Sequence, residues 1–319
     1  MKKVVITYPI PDEALRILKN EFEVIINKAV KPMMSSELVK FCKDADAVLC
    51  MFYDKFDAEI MDQCPKIKII STYSVGYNNI DVHSAKERGI YVTNTPDVLT
   101  NATADLAMGL LLSVSRNIVK GDNTIRNGEF KSWTPTWFLG LDLFNKTVGI
   151  VGLGRIGQNF AKKARAFNMN IIYHSSKKNH DFDNEFGAKL VSMETLIKES
   201  DFISLHVPLT DKTRYMFGKK EFDMMKNSAV IINTSRGAVI DEDALANALM
   251  DNLIYGAGLD VFEDEPNVNP KLISLDNVVL TPHIGSSTYE TRIRMAEISA
   301  QSIYNALLGQ KIDYNVYQL

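Results

Sequence analysis

TVGIVGLGRIGQNFAKKARAF, residues 147–167, passes from an apolar β-branched run through a glycine-rich turn into a helical pattern. Its Gly152, Gly154 and Gly157 form a GxGxxG in which the three glycines serve, in turn, the tight turn, close backbone approach to a pyrophosphate, and close packing of helix on strand. The helix start that follows offers unpaired amides and the positive end of a dipole to a diphosphate. By itself a GxGxxG is equally a glycine-rich turn. Here strand, turn and helix stand in order and a strand series continues beyond, so the stretch predicts dinucleotide binding on a parallel α/β sheet.

Downstream, NIIYH, DFISLHV, SAVIINTS, IYGAGLD and NVVLTPH continue that series. Upstream, VVITY, EVIIN, AVLCM, KIKIIST and IYVTN alternate with amphipathic stretches such as DEALRILKN and SSELVKFC, which predicts a second parallel sheet covered by helices. TNATADLAMGLLLSVSRN is apolar nearly all round and reads as a buried helix at the crossing from one sheet to the other. After His283, SSTYETRIRMAEISAQSIYNALLG has the pattern of a long amphipathic helix, and the economical solution is that it crosses back. The expectation is therefore two domains with a cleft between them, residues 1–100 with 287–319 and residues 101–286. At 319 residues the chain is too long for one ordinary core, as that division requires.

With 46% hydrophobic residues, 24% charged residues and a formal net charge of -3, the composition is globular and lacks the basic excess that nucleic acid or an anionic membrane would demand. Nothing approaches the roughly 18 consecutive apolar residues of a membrane span, and MKK runs straight into a strand pattern, so a cytoplasmic protein is expected. The three cysteines, Cys42, Cys50 and Cys64, have no CxxC or metal-type spacing and read as reduced core thiols. No paired-ligand pattern joins the five histidines either, and no metal is expected.

In a doubly wound sheet the ligand lies outside the carboxyl ends of the strands, so chemistry is sought there. Arg236 in NTSRG, Glu265 in DVFEDEP and His283 in TPHIG each follow a separate strand of the second series. Reduction of a 2-keto acid needs three services beyond the hydride, and these residues suit them. A guanidinium pairs with a carboxylate bidentately and stays charged. An imidazole gives and takes a proton near neutral pH. A carboxylate beside that imidazole favours its charged form and orients the ring. Taken singly, each has a plain structural reading: a turn arginine, one acid of a solvated loop with Asp260, Glu263 and Asp264, and a histidine before a glycine. Their joint occurrence at successive strand ends favours the catalytic reading. His206, in SLHVPLT, competes as the acid/base but sits inside an apolar run and reads better as packing near the cofactor.

With these residues in hand, the chain resembles the D-isomer-specific 2-hydroxyacid dehydrogenase family. SVGYNNID, NTPDVLTNATADLAMGLLL, GLGRIG, SDFISLHVPLT, INTSRGAVIDEDAL, GAGLDVFEDEP and TPHIGS occur in the family's order across nearly the whole chain. KSWTPTWFLGLDLFNKTVGIVGLGRIG is most similar to glyoxylate and hydroxypyruvate reductases. The resemblance implies a flavodoxin-like substrate domain beside a Rossmann dinucleotide-binding domain, both doubly wound parallel sheets, with NAD(P)H as cofactor. It implies that Arg236 binds substrate, Glu265 partners the histidine and His283 is the acid/base, and that the backbone amides of Val75 and Gly76 hold the substrate carboxylate. It places Thr103, Arg155, Ile156, Pro208, Thr213, Thr234, Asp260 and Gly285 around the dinucleotide with the three loop glycines, Asp260 near the nicotinamide carboxamide. An arm spanning about 117–147, with Trp133 and Trp137, is implied to embrace a second subunit in a homodimer.

One departure concerns the end of the second strand, where NAD-preferring members resemble one another in carrying an acid for the ribose hydroxyls. This chain has His174, Ser175, Ser176, Lys177 and Lys178 there, which predicts acceptance of NADPH. The substrate's far side is expected to meet Met51, Phe52, Tyr53 and Trp137. Two other functions remain open: another D-2-hydroxyacid dehydrogenase, of D-lactate or phosphoglycerate type, and a dinucleotide-sensing corepressor-like protein. Formate dehydrogenase is disfavoured by Glu265, because that reaction needs no proton donor.

Overall fold

A computed structural model describes residues 1–29 and 31–317 of the chain. Two compact units divide it, residues 1–99 with 286–319 and residues 100–285.

In the first unit, β1 (Lys3–Ile6), β2 (Glu23–Ile26), β3 (Ala47–Cys50), β4 (Ile69–Thr72) and β5 (Tyr91–Thr93) form one parallel sheet in the order β2-β1-β3-β4-β5. The three central strands, β1, β3 and β4, are almost wholly buried, which is why they read as continuous apolar runs rather than alternating ones. Edge strand β2 is only half buried. The helix Asp12–Lys19 starts with two acids and ends with a lysine, complementing its own dipole. The long helix Tyr289–Leu307 packs against it and against β3 and β4, burying Met295, Ala296, Ile298 and Ile303. Cys42, Cys50 and Cys64 lie unpaired in the core beside Val48, Ile70 and Val92.

The second unit holds a seven-stranded parallel sheet: β6 (Thr147–Val151), β7 (Asn170–His174), β8 (Lys189–Leu190), β9 (Phe202–Leu205), β10 (Val230–Asn233), β11 (Gly256–Leu259) and β12 (Val278–Leu280). Their order, β12-β11-β10-β9-β6-β7-β8, reverses direction between β6 and β9, which is where a doubly wound sheet opens its crevice. The predicted α/β class with two parallel sheets is thus found. Strand β8 was not expected: its two residues are both exposed and offer no apolar period.

The helix Thr100–Ser115 buries Ala104, Ala107, Leu110, Leu111 and Val114 against the helix Arg155–Ala166 and strands β10 and β11. It is not apolar all round. Asn101, Asp105 and Gly109 form an exposed stripe, in which Asp105 lies 3.0 Å from Lys163 and the Asn101 side-chain oxygen accepts from Asn159 at 2.6 Å. Beyond it come the helix Ile118–Arg126 and an extended segment that leaves Phe130, Trp133, Leu139 and Phe144 exposed. No helix among the described residues is long and apolar enough to cross a membrane.

Candidate active site

At the end of β6 the chain turns at Gly152, whose φ of +94° is closed to ordinary side chains. A Cβ on Gly157 would lie 2.1 Å from the Gly152 carbonyl oxygen, so a glycine there lets the helix Arg155–Ala166 sit down on the turn. Gly154 is different in kind: a Cβ there would meet no protein atom within 4 Å, as expected of a position kept bare for a ligand. The helix it starts has no side-chain cap, and the positive end of its dipole stands at the turn, where an anion would be stabilised.

The neighbouring strand ends carry the other expected residues. After β7 the His174 ring nitrogen Nδ1 lies 3.1 Å from the Val191 carbonyl oxygen, Ser175 is half buried, and Ser176 and Lys177 are exposed. Lys178 is engaged with Asp183 at 3.7 Å, and the Asn179 amide donates to the Tyr173 hydroxyl at 3.1 Å, which fixes the far end of this loop. After β9, Pro208 is exposed and its carbonyl accepts the Thr213 hydroxyl at 2.6 Å. His206 lies there too, its Nε2 2.9 Å from the Ser204 hydroxyl, and burial pushes its pKa down to about 3. A ring so held is neutral at neutral pH and has no proton to give. After β10, Thr234 is buried with its hydroxyl oxygen unpartnered, a polar atom that a ligand would satisfy.

Arg236, Glu265 and His283 follow β10, β11 and β12, three adjacent strands. His283 Nδ1 is 2.7 Å from Glu265 Oε2, while Glu265 Oε1 accepts the Phe262 amide at 3.0 Å, so the carboxylate is fixed at both oxygens. Arg236 Nη1 donates to the Ser235 carbonyl at 2.7 Å. Burial pulls the guanidinium's pKa down, and the charge of Glu265 opposes that. His283 has a φ of +51°, an uncommon conformation for a non-glycine residue. Asp260 holds it so. The buried Asp260 carboxylate accepts from the Thr281 hydroxyl at 2.7 Å and from the amides of Ile284 and Gly285 at 2.7 and 2.8 Å, while its carbonyl accepts the His283 amide at 2.9 Å. Burial pushes the Asp260 pKa up, against those hydrogen bonds. A Cβ on Gly285 would lie 3.2 Å from Asp260 Oδ2 and 3.5 Å from the Thr103 hydroxyl, so Thr103, Asp260 and Gly285 share one corner.

In the first unit, Val75 and Gly76 follow β4. Their carbonyls accept from the Asn94 side chain at 2.8 Å and the Ser74 hydroxyl at 2.5 Å, which orients both peptides; among the described residues neither N–H has an acceptor. Asp54 ties down the loop of Met51, Phe52 and Tyr53: its carboxylate accepts from the Thr7 hydroxyl at 2.5 Å and the Met51 amide at 2.8 Å.

Residues 108–285 match the family model of the D-isomer specific 2-hydroxyacid dehydrogenase, NAD binding domain. The glyoxylate reductase of Thermococcus litoralis is 51% identical over 312 residues, covering 97% of this chain and 94% of that one. The chain belongs to the D-isomer specific 2-hydroxyacid dehydrogenases. The glyoxylate reductase of Pyrococcus furiosus is 49% identical over 305 residues, 94% of this chain and 91% of its own. Among solved structures, the NADPH-dependent glyoxylate/hydroxypyruvate reductase of Sinorhizobium meliloti, in complex with NADP and malonate, has 31% identity and a TM-score of 0.88 over 99% of this chain and 96% of that one.

Two residues of this dehydrogenase went unread in the sequence. A Cβ on Gly237 would lie 1.9 Å from the Phe262 carbonyl carbon, so the loop bearing Arg236 touches the backbone of the loop bearing Glu265. Glu242, on the first turn of the helix Glu242–Met250, is buried and accepts the Glu263 amide at 2.5 Å. Neither carried a signal: a glycine after an arginine reads as a turn, and an acid at a helix start reads as a solvated dipole partner.

Proposed function

We propose that this dehydrogenase reduces a small 2-keto acid, glyoxylate or hydroxypyruvate first, to the 2-hydroxy acid with NAD(P)H. The contact of His283 with Glu265 carries the reading, because a proton donor with a fixed counter-charge is what a developing alkoxide requires. NAD(P)H, when bound, supplies the hydride. Gly152, Gly154, Gly157 and the helix start behind them would hold its diphosphate, with Thr234, Asp260 and the Thr103–Gly285 corner as further polar and close contacts. Arg236 would bind the substrate carboxylate, the open amides of Val75 and Gly76 being the first unit's own candidates for that role, and His283 protonates the oxygen at C2 as the carbonyl is reduced. Steady-state rates for glyoxylate, hydroxypyruvate, pyruvate and bulkier keto acids, each with NADH and NADPH, test this. A protein inactive on all of them that still binds dinucleotide would favour the sensing role.

Acceptance of NADPH is supported by the absence of an acid after β7 and by the exposure of Lys177. Because Lys178 already faces Asp183, Lys177 is the cation placed to meet a 2′-phosphate. Replacing both lysines with alanine should raise KM for NADPH several-fold and leave KM for NADH almost unchanged. An equal effect on both cofactors, or none, would return the lysines to the solvated surface.

The homodimer is supported by the exposed aromatic side chains of the 117–147 segment: Trp133 is 77% exposed and Phe144 63% exposed, and Phe130, itself exposed, stacks on Trp137 with ring centroids 5.5 Å apart. Replacing Trp133 and Phe144 with aspartate should turn a dimer into a monomer in sedimentation; a wild-type monomer would end the assignment. Three unpaired buried thiols support a reducing compartment, the cytoplasm.

A further inference from the structure

Glu242 lies outside the strand ends that supply the acid, the anchor and the cofactor contacts, yet it is 7% exposed and carries an acid into the protein interior. Burying a carboxylate is costly unless hydrogen bonds compensate, so its partner is informative. That partner is the backbone N–H of Glu263, at 2.5 Å from Glu242 Oε1. The preceding peptide N–H, that of Phe262, donates to Glu265 Oε1 at 3.0 Å, and Glu265 Oε2 meets His283 Nδ1 at 2.7 Å. Two consecutive amides thus face two carboxylates. One belongs to the proposed histidine partner, the other to Glu242. On its other side the same loop is pressed against Gly237, and the Glu263 carboxylate accepts the Tyr215 hydroxyl.

We infer that Glu242 is a positioning residue for proton transfer: by holding the Glu263 amide it fixes the loop from which Glu265 reaches His283. The inference rests on the 2-keto acid reductase reading above. The charged groups that act on Glu242 include the acids Glu263 and Glu265 on the loop and Asp243 on its own helix, and together with burial they push its pKa up. The hydrogen bond from the Glu263 amide works against that shift and keeps the carboxylate in place. Among the groups facing His283 are Glu265 and Asp260, and Arg236 faces Glu265.

Reach and charge can be separated. Glu242→Gln keeps an oxygen at the same reach with no charge, while Glu242→Asp keeps the charge and the helix-start acid but draws the oxygens back by one methylene. If position is what matters, Glu242→Gln retains kcat within about twofold. Glu242→Asp should lose about tenfold to a hundredfold in kcat for keto-acid reduction, as a displacement of an ångström in a reacting group does. Dinucleotide affinity should hold, so the loss falls on kcat and not on cofactor binding. The His283 ring resonances, assigned from the His283→Gln spectrum, read the same displacement without turnover: they shift in Glu242→Asp and hold in Glu242→Gln. A wild type inactive on every keto acid overturns the reductase reading, whereas an active wild type whose Glu242→Asp variant matches it in kcat and in the His283 ring resonances overturns this one. A Glu242→Asp variant that loses melting temperature alone would make Glu242 a purely structural acid and equally overturn the inference.

Discussion

His283→Gln should lower kcat for 2-keto acid reduction by about 10²–10⁴-fold, the usual loss when a general acid is removed. Glutamine occupies similar space and can still donate from an amide, but it cannot deliver a proton to an alkoxide. The dinucleotide should bind as before, because the Gly152–Gly157 turn stands at β6, several strands away in the sheet. His206 will not substitute: burial holds its ring neutral, with a pKa of about 3, and its Nε2 is engaged with Ser204. Glu265→Gln is the companion measurement. Without the carboxylate the ring loses the partner that orients it, so kcat should fall while dinucleotide affinity holds. Near-normal turnover in His283→Gln or in Glu265→Gln would remove the pair from the chemistry.

That the pair could be named from the sequence follows from the geometry of a parallel sheet. Strands of a parallel sheet read as near-continuous apolar runs, AVIIN, AGL and the half-buried edge strand VVL among them, and the first polar residues after such a run must stand at the carboxyl edge. Arg236, Glu265 and His283 were legible for that reason. The doubly wound class was legible through the glycine turn, though the order of the strands was not read. Tertiary burial of polar side chains was not. Nothing in IDEDAL tells that Glu242 alone of its acids turns inward, because acids at helix starts are common whatever they face. Asp54 is similar, a plain loop acid in sequence and an anchor for the Met51–Tyr53 loop in the fold. Nor does TPHIG announce that His283 sits at φ +51°, a conformation that depends on Asp260, 23 positions upstream.

Gly237→Ala should be among the most damaging single-methyl changes in this enzyme, and for a reason distinct from the loop glycines. The added Cβ would lie 1.9 Å from the Phe262 carbonyl carbon, 2.1 Å from its oxygen and 2.3 Å from the Glu263 nitrogen. All three are backbone atoms, so no side chain can swing away and one loop must move by more than an ångström. Overpacking a core costs about 1–3 kcal/mol where side chains can adjust; with peptide planes opposed, the upper end or beyond is expected, and the melting temperature should drop by several degrees. The displaced loops are those that carry Arg236 and Glu265, so the proposed carboxylate anchor and the residue in contact with His283 separate. A misplacement of that size costs about 10²-fold in rate. Gly154→Ala provides the contrast. Its Cβ meets no protein atom within 4 Å, so melting should be unchanged while KM for the dinucleotide rises, the methyl now standing where the pyrophosphate approaches. If Gly237→Ala melts as wild type does and turns over at the wild-type rate, the two loops are not locked through Gly237, and the placing of Glu265 opposite His283 must be ascribed to Glu242 and the Phe262 amide alone.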